Sequence, residues 1–133
     1  MMEAILEYCG NRIEIFDFIH WVEDERAGNS YNSSFTIRVR SGPFSGEGRC
    51  VTDYKAFKRF IAALRDVTDC KADEAVLEDY DYGGTVRFAG DGLGHVTVSG
   101  TIYGEAMIHS VTFSFPTDQT NYAPFLRALE RME

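Results

Sequence analysis

Histidine and cysteine are the side chains that most often hold metals or attack substrates, and this chain has three of each: His20, His95 and His109, and Cys9, Cys50 and Cys70. A zinc site draws such ligands in pairs at short spacing, so that one local element presents two of them together. Here the histidines fall on three separate segments, and no HxxxH, HxH, CxxC or CxxH pair occurs. The sequence therefore assigns no metal ligand and no cofactor. The cysteines are odd in number and widely spaced, which fits buried or half-buried thiols in a reducing compartment rather than a disulfide framework.

Other catalytic patterns are also missing. Gly90-Asp91-Gly92-Leu93-Gly94 has the glycine density of a phosphate loop. Such a loop must open a helix whose first amides hold the anion, and here a strand pattern follows. A hairpin turn is the better reading, with Asp-Gly supplying the positive φ of a primed turn. No serine stands in a GxSxG elbow, and no cysteine has a basic local setting. No catalytic residue is assigned.

Carboxylates are abundant. Asp66, Asp69, Asp73, Glu74, Glu78, Asp79, Asp81 and Asp91 face only Lys71 and Arg87 across residues 66–91. Paired carboxyls can break glycosidic bonds, but only at a set distance and with burial that splits their pKa values. Acid density alone more often marks a solvated surface. Within this segment Asp73, Glu74, Glu78, Asp79 and Asp81 are interleaved with Tyr80 and Tyr82, joining negative charge to rigid amphipathic rings. Tyrosines lose little entropy on binding and are enriched at interfaces. These seven residues are the candidate partner-binding set, suited to steering a basic protein.

The elements that must position them follow from periodicity. Residues 4–9 and 12–16 read as two strands joined at Gly10-Asn11, while the dense apolar run from Phe16 to Val22 blurs the end of the second. Glu23 to Ser34 is polar and turn-rich and reads as a surface loop. Ser34 to Arg40 alternates cleanly, with Phe35, Ile37 and Val39 on the inner face. After Gly42-Pro43 the run 44–51 returns as a weaker strand, whose Gly46 and Gly48 suggest a bulge or an edge. Thr52 is a possible cap for a helix over 53–67, with Tyr54, Phe57, Phe60, Ile61 and Leu64 along one face. Strands follow at 75–79, 85–89, 95–103 and 108–115, the last ended by Pro116. A closing helix spans about 121–132, with Pro124 in its first turn. Strands, helix, strands, helix predict an α+β fold, an antiparallel sheet of about 7–8 strands under two helices.

Length and composition agree with one domain over residues 1–133. The chain is 44% hydrophobic and 14% aromatic, enough for a real core. A net charge of −8 argues against sequence-independent nucleic-acid binding, which needs lysine and arginine to neutralise phosphate. No apolar run is long enough to span a bilayer, and the first residues lack the pattern of a signal peptide. The expectation is a cytoplasmic protein that is neither a nucleic-acid nor a membrane binder, as a monomer or homodimer.

Around Asp91-Gly92-Leu93-Gly94-His95-Val96-Thr97-Val98 the chain resembles an uncharacterised family of small bacterial domains that is itself similar to WapI-type toxin-immunity proteins. The strand Phe35 to Val39, the turn Gly42-Pro43-Phe44-Ser45-Gly46 and the closing Phe125-Leu126-x-x-Leu129 extend the resemblance loosely over residues 35–132. The long Glu23–Ser34 segment departs from some relatives. The resemblance implies a non-enzymatic cytoplasmic inhibitor that occludes a toxin domain, and it carries no catalytic residue across. The alternative from the residues themselves is a small hydrolase or ligand-binding domain with a pocket between sheet and helices.

Overall fold

The computed structural model describes residues 2–105 and 108–133. Eight strands and two long helices give the α+β class, and the strands divide into two antiparallel four-stranded sheets. The first sheet is β1 (Glu3–Tyr8), β2 (Asn11–His20), β3 (Ser33–Ser41) and β4 (Phe44–Thr52). The second is β5 (Glu74–Glu78), β6 (Thr85–Gly90), β7 (His95–Tyr103) and β8 (Ser110–Asp118). In each, spatial order equals chain order. Helix α2 (Tyr54–Thr68) connects the sheets and packs along β5 and β6, and α3 (Tyr122–Glu130) packs along β1.

The inner faces share one core. Ile13, Ile15, Phe35, Ile37 and Val39 come from the first sheet, Leu77, Val86, Phe88 and Val98 from the second. Phe57, Phe60, Ile61 and Leu64 of α2 and Phe125 and Leu129 of α3 complete it. The period-two pattern of β3 and the period-3.6 pattern of α2 identify their inner faces, because burial of one side is what each pattern encodes.

Several local details differ from expectation. Strand β2 runs to His20, and its blurred alternation has a cause: the register with β3 shifts between Phe16 and Ile19, a β-bulge. Asp17 takes the positive φ of 54° there. The extra residue turns Phe18 inward, where its ring stacks on Phe57 at 4.5 Å. The polar segment after it begins with a short helix, α1 (Val22–Arg26). The cap of α2 is Asp53, whose carboxylate accepts the Lys55 N–H, while Thr52 closes β4 and is buried. Pro116 does not end β8, which continues to Asp118. That position faces the outer edge, where no ladder N–H is required.

Thr117 ties β8 to α3. Its hydroxyl donates to the Val96 carbonyl at 2.8 Å and lies 2.7 Å from the Tyr122 hydroxyl, and both residues are buried. Burial holds the Tyr122 phenol well above its usual pKa, so it stays neutral. Thr117→Val would strand that hydroxyl without a partner. The expected loss is about 2 kcal/mol in urea unfolding, whereas pairing it with Tyr122→Phe recovers part of the loss.

Candidate protein-binding surface

The β5–β6 connection is built around one buried carboxylate. Asp79 is 7% exposed. Its Oδ1 accepts the N–H of Val51 at 2.9 Å and of Asp81 at 3.0 Å, and its Oδ2 accepts the N–H of Tyr82 at 3.2 Å. Its own amide donates to the Gly84 carbonyl at 2.8 Å, and Gly83 donates back to the Asp79 carbonyl at 3.1 Å. Gly83 has φ +80°, which closes the loop without Cβ strain. The next amide, Tyr80 N–H, donates to the Val51 carbonyl at 2.7 Å. Through Val51, then, the loop is fastened to the outer edge of β4, and Asp79 joins the two sheets.

This arrangement divides the seven sequence candidates. Glu78, Tyr80, Asp81 and Tyr82 gather at the C-terminal end of β5, with Glu78, Asp81 and Tyr82 exposed. Asp79 lies beneath them, a positioning group and not the solvated charge that its neighbours suggested. Asp73 and Glu74 are exposed at the other end of the strand, about 15 Å away at the usual strand rise. Glu74 is paired with Arg87 of β6.

One surface residue was absent from the sequence set. Tyr31, from the segment before β3, donates its hydroxyl to the Tyr80 carbonyl at 3.3 Å. The two rings meet edge to face with centroids 5.9 Å apart. Tyr31 is 49% exposed and Tyr82 42%, so large aromatic area faces solvent beside Glu78 and Asp81. The segment that carries Tyr31 is anchored by buried Asn32, whose Oδ1 accepts the Tyr54 N–H at 2.8 Å and whose amide donates to the Asn29 carbonyl at 2.9 Å. The polar run 23–34 thus packs on the start of α2 and presents Tyr31 in a fixed place.

Several of the other charged and titratable groups have structural partners. On the outer face of the first sheet, Glu14 accepts from Arg12 at 2.5 Å and Arg38 at 3.2 Å, and Arg38 also reaches Glu47 at 2.6 Å. Hydrogen bonds donated to Glu14 and Glu47 raise the pKa of Arg12 and Arg38 respectively. Charges neutralised in such a ladder offer little to a partner. Asp91 accepts the N–H of Leu93 at 2.7 Å and of His95 at 3.1 Å, and its other oxygen lies 2.9 Å from His95 Nδ1. The Leu93 amide first, then His95, hold its carboxyl below the usual value. This is a turn anchor in the β6–β7 hairpin predicted there. His20 stacks on Tyr54 with centroids 3.9 Å apart and lies 3.2 Å from Glu25, and His109 packs against Gly104. Among the described residues, no three of histidine, cysteine, aspartate and glutamate gather as metal ligands. Burial, with a smaller effect of Asp79, pushes the Cys50 thiol up to about 12, so it is protonated at neutral pH.

No protein-family model matches this chain, and no curated protein matches it in sequence.

Proposed function

We propose that this chain is a protein-binding domain that captures a basic partner on the face formed by Tyr31, Glu78, Tyr80, Asp81 and Tyr82. The single observation that carries the reading is the buried Asp79 network, which spends a carboxylate on holding an exposed acidic and aromatic loop in one shape. A preorganised loop loses less entropy on association, and uncompensated carboxylates accelerate encounter with a positive surface. The partner most in keeping with this chemistry, and with the resemblance to immunity proteins, is a basic toxin domain that the chain neutralises by occlusion and not by catalysis.

The test uses the intact chain as bait in a lysate of its source cells, followed by purification of the captured protein and binding kinetics. The Glu78→Lys, Asp81→Lys double variant should associate at least tenfold more slowly at low salt, with the wild-type rate falling as salt is added. Arg40→Glu, on the outer face of the first sheet, should leave the rate unchanged. A partner that binds wild type and double variant alike removes this face from consideration.

A further inference from the structure

Strand β5 is an edge of its sheet, and its hydrogen-bonding pattern identifies which groups are unused. Gly90 N–H donates to the Asp73 carbonyl at 2.8 Å, and Asp79 N–H to the Gly84 carbonyl at 2.8 Å. Bonding sides alternate along an antiparallel strand. Ala75 and Leu77 therefore also face β6, while Glu74, Val76 and Glu78 turn their amides and carbonyls outward. The next residue in that outward series is Tyr80, whose N–H already bonds a β4 carbonyl.

The other edges are managed differently. Strand β1 is flanked by α3, and Asn121 Nδ2 donates to the Glu7 carbonyl at 3.0 Å. Strand β4 runs against the Tyr80 loop and the ends of β7 and β8. On β8 the Gln119 N–H bonds the Gly94 carbonyl, so by the same alternation Pro116 falls in the outward series. A residue without an N–H blunts that edge. Strand β5 has no proline, and an open groove of about 280 Å³ runs beside it. Ala56, Arg59 and Ala63 of α2 form one wall, and Val76, Leu77 and Glu78 the other.

We infer that the partner docks by adding a strand to β5, with basic, apolar and basic side chains in alternation opposite Glu74, Val76 and Glu78, and small side chains facing α2. The inference rests on the preceding reading of a basic protein partner and specifies how it binds. Main-chain bonds to an open edge supply affinity, and the alternating side chains supply selectivity. Glu78 has no ion-pair partner among the described residues, so a lysine opposite it gains an unshared carboxylate, whereas Glu74 already shares its carboxylate with Arg87 and contributes less. Ala56 and Ala63 leave room for the inward side chains, and Arg59 between them disfavours a cation on that side. A second copy of this chain is a poorer occupant. Antiparallel self-pairing about Val76 would set Glu74 of each copy opposite Glu78 of the other, and like charges directly opposite are destabilising.

The probe is the palindromic peptide acetyl-Ser-Lys-Ala-Val-Ala-Lys-Ser-amide, able to pair in either direction, titrated into the full chain and followed by NMR. It should slow amide exchange of Glu74, Val76 and Glu78 at least tenfold at saturation. N-methylation of the peptide's valine, which bonds β5 when the strands run antiparallel, together with both alanines, which bond it when they run parallel, should weaken binding at least tenfold, and so, separately, should glutamate in place of its lysines. If the methylated peptide binds equally well and shifts only Asp79 to Tyr82, strand addition is overturned while the acidic face survives as a binding site. Failure of the lysine peptide to bind at millimolar concentration also overturns strand addition, and the bait experiment then decides the broader reading on its own. Slow edge exchange that appears without peptide and rises with protein concentration assigns the edge to a second copy and overturns the inference.

Discussion

Asp79→Ala should unfold about 10 °C below the wild-type chain, a loss of about 3 kcal/mol. The substitution removes three acceptor contacts at once, to Val51, Asp81 and Tyr82. The Asp81 and Tyr82 amides belong to exposed residues and can turn to water. The Val51 amide is less fortunate, because it points out of β4 toward Asp79 in the partly buried joint between the sheets. Asp79→Asn keeps one carbonyl oxygen and should lose less than half as much. Partner binding should fall with Asp79→Ala as well, although the residue is out of a partner's reach, since the loop above it is no longer held. Thermal unfolding and binding on the same samples check this, and unchanged stability would show that the carboxylate does not join the sheets.

Gly48→Ala should be of comparable size, about 3 kcal/mol, through steric overlap and not a lost bond. A Cβ at Gly48 would stand 2.4 Å from the Tyr103 carbonyl oxygen, a backbone atom at the end of β7 that has no rotamer to escape into. The neighbouring Gly46 makes a useful comparison. Its Cβ would meet Val111 Cγ2 at 2.5 Å, a side chain that can rotate. Alanine at 46 should therefore cost clearly less than alanine at 48. Urea midpoints of the two variants give the comparison, and equal midpoints would contradict the close approach at Gly48.

Gly46 and Gly48 also illustrate what the sequence could convey. Two glycines in a short strand suggest a bulge or an edge position; β4 is an edge, and its register with β3 is unbroken. That the second sheet crosses close to this edge was not legible, because Tyr103 lies 55 residues later and leaves no local mark. The same division holds elsewhere. Helix α2 was expected over 53–67 and spans Tyr54–Thr68, since its apolar stripe repeats every turn. The bulge at Asp17 was visible only as lost alternation. A one-residue register shift looks the same as a dense apolar run until the partner strand is known. In the candidate surface, Glu78, Asp81, Tyr80 and Tyr82 were legible by their types. The burial of Asp79 was not, because its amide partners include Val51, 28 residues earlier. Tyr31 was missed for a similar reason, as its bond to Tyr80 spans 49 residues.

The chain order of the strands, 1-2-3-4 and 5-6-7-8, has a kinetic consequence. Every paired strand is a sequence neighbour, so each meander can zip up hairpin by hairpin without closing a long loop, and loop closure is what slows β-rich chains. The events of greatest sequence separation are then the docking of one meander on the other and the arrival of α3 on β1. Folding should be limited by that late assembly step.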